Sequence, residues 1–301
     1  MAALETRPYA TPEYSSVTAR AELLSPAVAL RELSEHWEPG TDLSLRFSAE
    51  LGDDFWTQSR LRPEETVYLV GTVYCPSIRK RWSGHAEFSG PASQRTASVE
   101  ISVPGDLVAA ELRYDMWVVG EGVTGAAGYG YPAPRHPGAK LWELRGQHPI
   151  PLEQTADAFP TSALSFNRTG RPQVPWTIEL TDDADPGWDL QNSIRIYVNT
   201  DLPVHEKILT DKASPDLYAQ LEADIYFAVL QRLARSPEAH DGEAVEDVAR
   251  SVPRSLAALG KSGAEKAGIP LPRALQLVDE DPLDLVMTFR EALRIFREDP
   301  S

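Results

Sequence analysis

The hydrophobic rhythm of the chain changes near residue 200. Upstream, apolar residues alternate or run in short β-branched stretches, the last being Ile194-Arg195-Ile196-Tyr197-Val198. Downstream of Asn199-Thr200-Asp201-Leu202-Pro203 they recur at helical spacing almost to the C-terminus. A period of two lines one face of a strand and a period near 3.6 lines one face of a helix, so the switch divides the secondary structure. It predicts an α+β fold: an antiparallel, β-sandwich-like N-terminal region followed by a C-terminal helical lobe packed on it. The implied organisation is an N-terminal arm over 1–16, a β-rich domain over 17–200 and an α-helical region over 201–301. Gly120 to Gly138, dense in glycine and proline, would join two sheets or sub-lobes of the β-rich domain.

Within the β-rich part, Leu43, Leu45 and Phe47 alternate onto one face, as do Ala97, Val99, Ile101 and Val103. Thr66 to Cys75 is rich in β-branched and aromatic residues and reads as a strand packed on both faces, with Gly71 marking a bulge or a close backbone contact. Val17–Leu24, Leu107–Val119, Leu141–Leu144, Ile150–Leu152, Trp176–Leu180 and Ser193–Val198 are further strand candidates. In the helical part, Ser214-Pro215-Asp216 supplies an N-cap, a first-turn proline and an acid for the positive helix end. The following helix has an apolar face so wide that burial on more than one side is expected, and Tyr218, Tyr226, Phe227 and Leu230 on it are candidates for binding a partner. Gly242–Leu259 reads as a weaker helix split at Pro253 with Gly260 as its C-cap. A last helix begins at Asp281-Pro282, with Leu285, Val286, Phe289, Leu293 and Phe296 facing inward.

A formal charge of −16 opposes attraction to polyphosphate or anionic lipid, so no membrane partner is expected and nucleic acid only through a local basic patch. The single cysteine, Cys75, excludes an internal disulfide framework and reads as a packed strand residue. The first twelve residues lack the charged start and apolar run of a signal peptide, and no stretch reaches the ~20 apolar residues of a membrane span, so a cytoplasmic location is expected.

Four segments offer chemistry. Gly120-Glu121-Gly122-Val123-Thr124-Gly125 fits GxGxxG, but Pro132, Pro134 and Pro137 leave no helix to present amides to a pyrophosphate, and a loop is the better reading. Arg79-Lys80-Arg81-Trp82 is the basic cluster with an adjacent aromatic, a candidate nucleic-acid contact that reads equally as a solvated hairpin tip. Overlapping it, Ser77-Ile78-Arg79-Lys80 matches SxxK without the companion motifs of serine acylases. Asp182, Asp183, Asp185 and Asp189 gather carboxylates between two strands, and with Asp201 they form the candidate site for a divalent cation. No other cofactor is expected. Asp201 also reads as the cap of a short helix, and the scattered histidines lack ligand spacing.

These readings favour a non-enzymatic interaction or scaffold subunit of a cytoplasmic multi-protein assembly, with other protein subunits as partners. An accessory protein of a bacterial stress or antiviral-defence system would fit that description. The alternatives are a metal-dependent phosphodiester-cleaving enzyme using the dispersed carboxylates, and a sandwich that binds glycans through tryptophan.

Overall fold

The computed structural model describes residues 7–91, 94–122, 134, 136–146, 148–153, 159–237 and 242–296. The architecture is α+β, with antiparallel sheets in the first two hundred residues and helices after them. The chain separates into two compact units, Met1–Gln154 and Thr155–Ser301. The change of rhythm at residue 200 therefore falls inside the second unit, where a small sheet and the helices that follow share one core. Most of the segment expected to join sub-lobes, and with it the second half of the GxGxxG match, lies outside the described residues.

In the first unit the chain runs β1 (Val17–Ser25), α1 (Leu33–His36), β2 (Leu43–Leu51), α2 (Asp54–Ser59), β3 (Val67–Cys75), β4 (Lys80–Glu87), β5 (Arg95–Val103), β6 (Glu111–Gly120), β7 (Ala139–Glu143) and β8 (Pro149–Pro151). Strands β1-β2-β5 form one antiparallel sheet. Strands β4-β3-β6-β7 form a second, with β8 paired to β6. The alternation in β2 and β5 is realised as read: Leu43, Leu45, Phe47, Ala49 and Leu51 are buried, and Ala97, Val99, Ile101 and Val103 face the same core. Burying a side chain the size of Leu or Phe stabilises a fold by roughly 1.5–3 kcal/mol, so these faces fix the register. Gly71 is a close contact and not a bulge. A Cβ there would lie 2.5 Å from the Phe47 ring, so the two sheets meet where glycine leaves room.

The N-terminal arm is anchored from Arg7 onward. The Arg7 guanidinium and the Tyr9 hydroxyl donate to the Lys140 carbonyl at 2.6 and 3.2 Å, and Tyr14 stacks on Trp142 with ring centroids 5.3 Å apart. Strand β4 has no counterpart among the sequence-derived strands. It is an edge strand whose residues are exposed or half-buried, so selection for core packing leaves no apolar alternation in Lys80–Glu87.

In the second unit the order is β9 (Thr161–Leu164), α3 (Phe166–Thr169), β10 (Trp176–Leu180), α4 (Leu190–Ser193), β11 (Ile194–Asn199), α5 (Val204–Leu209), α6 (Pro215–Ala234), α7 (Gly242–Ser251), α8 (Leu256–Lys266), α9 (Leu271–Glu280) and α10 (Pro282–Ala292). The sheet order is β10-β11-β9. The β10–β11 pair is antiparallel, whereas β9 and β11 run parallel, a departure from the all-antiparallel expectation. A parallel pair needs a long crossover, and the stretch containing α3, β10 and α4 supplies it.

Helix α6 starts where the sequence places it: the Ser214 hydroxyl accepts from the Leu217 amide at 3.3 Å. It lies on β10, where the Trp176 indole N–H donates to Asp224 at 3.0 Å and Arg232 donates to the Thr181 carbonyl at 3.2 Å. Its wide apolar face is covered within the unit by β10, α8, α9 and α10. The chain breaks at Pro253, but Gly260 is no C-cap. Helix α8 begins at its own cap, Ser255, and passes through Gly260, where a Cβ would lie 2.5 Å from Leu233 of α6.

Candidate functional site

The strand-to-helix junction after β11 draws the sequence-derived carboxylate Asp201 into a closed network. Asn199, fully buried, accepts from the Asp201 amide at 3.0 Å and from the Phe166 amide at 3.4 Å, and its side-chain amide donates to the Val174 carbonyl at 3.1 Å. Asp201 then accepts from the Ser165 hydroxyl and from the Asn167 amide, both at 2.7 Å. Desolvation opposes its charge, but the hydrogen bonds from Asn167, Ser165 and Phe166 and the nearby His205 outweigh it and hold the carboxyl below the ordinary aspartate value. Both carboxylate oxygens thus secure the turn into α3. The expected role of Asp201 as the cap of the helix that follows it is not met, because α5 is preceded by Pro203 and has no side-chain cap; the carboxylate instead takes an amide of α3, whose own cap is Ser165.

The acidic loop between β10 and α4 is a folded turn. Asp185 accepts from the Gly187 amide at 2.8 Å, and Asp189 caps α4 by accepting from Gln191 at 2.9 Å. The Pro186 and Trp188 carbonyls take the Ala257 and Leu256 amides of the first turn of α8. Asp182 and Asp183 are exposed. Among the described residues no group of three or more His, Cys, Asp or Glu side chains is placed to hold a metal ion. The structure therefore does not gather Asp182, Asp183, Asp185, Asp189 and Asp201 into one centre.

The basic cluster sits at the turn from β3 into β4. Arg79 occupies the turn with φ 53°, and Lys80, Arg81 and Trp82 open the edge strand. Tyr74 of β3 lies between Arg81 of β4 and Arg113 of β6 in register. The Arg81 guanidinium stands 5.5 Å from the Tyr74 ring and the Lys80 ammonium 5.7 Å from the Trp82 ring. Arg113 pairs with Glu111, but Arg79, Lys80 and Arg81 form no ion pair among the described residues. The Ser77 hydroxyl of the SxxK match donates to the Ala109 carbonyl at 3.1 Å. Cys75 is buried beside the same carbonyl, and burial pushes its thiol up, away from the reactive thiolate.

On α6, Tyr226 and Leu230 are core residues, and Tyr218 and Phe227 are half-buried. The side chains singled out there for partner binding thus largely serve the unit's own packing. The outward apolar side chains belong instead to α10. Leu285 and Phe289 face in, while Leu283 and Met287, one turn apart on the opposite side, are 69% and 55% exposed. Phe296, expected to face inward, is 80% exposed. The helix ends at Ala292, and left-handed backbone at Arg294 and Phe296 turns the chain so that Ile295 takes the buried place. The Phe296 amide is fixed by Asp216 at 2.8 Å.

No family model matches the sequence, and no curated protein matches it. A solved bacterial adhesin from Mobiluncus mulieris, containing intramolecular disulfide, isopeptide and ester bond cross-links, is similar at a TM-score of 0.26. The identity is 9%, over 61% of this chain and 72% of that one. A likeness of this degree carries no argument about fold or function. No helix among the described residues is long and apolar enough to cross a membrane.

Proposed function

We propose that the protein is a non-enzymatic interaction subunit of a cytoplasmic multi-protein assembly. The observation that supports this reading is the outer surface of α10 and the turn after it. Leu283, Met287 and Phe296 are the three most exposed large apolar side chains of the described residues. Single exposed apolar residues need no explanation, but several along one helix and the turn after it offer a docking surface. Leu283 and Met287 recur at i and i+4, the spacing by which one helix engages another, and Met adapts its shape to a partner surface. The carboxylates considered for catalysis support the same reading, since Asp185, Asp189 and Asp201 are engaged in local turns and caps.

The test is affinity purification from the native host, with retained proteins identified by mass spectrometry and stoichiometry read by native mass spectrometry. The expected result is a defined partner that is lost in the Leu283→Glu/Met287→Glu variant. Both side chains already face solvent, so folding stability should change by less than about 0.5 kcal/mol. A sharp monomer with nothing retained, or a partner held equally by the variant, overturns the reading.

A further inference from the structure

The turn into β4 carries a second, independent surface. Arg79, Lys80 and Arg81 are three consecutive exposed cations in a chain of formal charge −16. Carboxylates are abundant, and cations elsewhere take them: Arg46 pairs with Glu100 at 2.6 Å, Arg20 with Glu22 at 2.8 Å and Arg273 with Glu280 at 2.8 Å. The three at this turn form no such pair among the described residues, although Asp115 lies only two rows further along the same sheet.

The cations also stand on an edge. Strand β4 is hydrogen-bonded to β3 on one side and ends the order of its sheet on the other. An edge strand presents unpaired main-chain donors and acceptors to which another extended segment can add. Successive side chains of a strand point to opposite faces, so Lys80 and Arg81 put one cation on each side of that edge. A symmetric antiparallel copy of β4 would offer a carboxylate, Glu87, to Lys80 alone and none to Arg79 or Arg81, whereas an acidic segment would meet complementary charge on whichever face its carboxylates lie.

We propose that the β4 edge binds an extended acidic segment of a partner protein, which adds as a strand to β4 and places its carboxylates on Arg79, Lys80 and Arg81. Single-stranded nucleic acid fits the same charge less well. Base stacking needs open aromatic faces, and the Tyr74 and Trp82 rings each already carry a cation. A long polyanion would also extend over the acidic remainder of the protein. A short segment feels only charges within the screening length of about 8 Å at physiological salt.

The probe is a short fluorescein-labelled peptide of alternating Glu and Val, titrated with the full chain and followed by anisotropy. Binding should weaken about tenfold in the Arg79→Gln/Lys80→Gln/Arg81→Gln variant and should fall as salt is raised. The same peptide N-methylated at every second amide keeps its charge but cannot pair as a strand, and it should not bind. The single variant Arg81→Glu, checked for an unchanged thermal transition, should lose affinity in the same direction. Equal binding by the triple variant, equal binding of the methylated peptide, tighter binding of an oligothymidylate, or no binding of the Glu–Val peptide each overturns the proposal. None of these readouts depends on α10, so the two surfaces stand or fall separately.

Discussion

Two polar clusters, one in each unit, look alike in sequence and differ in the fold. The Asn199–Asp201 junction and the Arg79–Arg81 turn both gather polar residues beside a strand end. At the junction, Asn199 has partners for its oxygen and its amide, and Asp201 for both its oxygens. At the turn, three exposed cations form no ion pair among the described residues. Partnering, and not residue type, separates a cluster that holds the fold from one left available to a ligand. A carboxylate whose charge is already met by two hydrogen bonds gains less from a further partner than an exposed guanidinium that has only water to exchange.

The largest effect should come from the junction. Asn199→Leu keeps the volume but leaves the Phe166 and Asp201 amides and the Val174 carbonyl without their partner. A buried group left unpaired costs about 1–3 kcal/mol, and the Asp201 turn stays partly open to water, so the total loss should be about 3 kcal/mol. Urea unfolding with a probe in the second unit, such as the Trp176 indole beside Asp224, would measure it. A loss below about 1 kcal/mol would show that the network is incidental and break the contrast between the clusters.

A smaller effect with a distinctive pH signature belongs to Asp201. Its folded carboxyl sits below the ordinary value, so its stabilisation is complete above the unfolded value of about 3.9 and is lost as pH falls through the folded one. Asp201→Asn keeps the shape and removes the charge. The variant should be less stable than the parent by up to about 1 kcal/mol at neutral pH, a modest figure because the residue is exposed. That difference should stay flat down to about pH 4 and shrink below it. A difference that does not depend on pH would mean that Asp201 acts through shape alone.

The sequence carried the elements whose faces are buried. Phe47 in β2, Ile101 in β5 and the Ser214 cap of α6 follow from periodicity and capping, because core packing and orphan amides constrain residue type directly. Strand β4 was not legible, since its residues are all exposed or half-buried and core packing imposes no pattern on them. Four-residue β9 is too short to show a period, and its parallel pairing rests on contacts distant in sequence. The candidate sites divide the same way. Residue types announced the acidic loop and the basic cluster, but whether each side chain was occupied depended on Asn167, Gln191 and other amides that meet them only after folding. Helix α10 misled only at its end: the spacing of Leu285, Phe289 and Leu293 carries on to Phe296 in the sequence, but the helix stops at Ala292 and the turn after it puts Ile295 in the buried place.

The smallest stability effects, and the sharpest test of the contrast, are expected at the β4 turn. Replacing Arg79, Lys80 and Arg81 together by glutamine removes no carboxylate pair among the described residues, so the change in unfolding free energy should be within about 1 kcal/mol, set mainly by the cation–ring contacts to Tyr74 and Trp82. Arg79 alone goes further. Its φ of 53° is a conformation that a side chain disfavours and glycine accepts freely. Arg79→Gly should therefore leave stability unchanged or raise it by about 0.5 kcal/mol, since relief in the folded turn slightly exceeds the added freedom of the unfolded chain. If the same variant binds the Glu–Val peptide more weakly, stability and affinity will have moved in opposite directions at one residue. A structural role for Arg79 would move stability down instead, and a thermal transition lowered by several degrees would establish it.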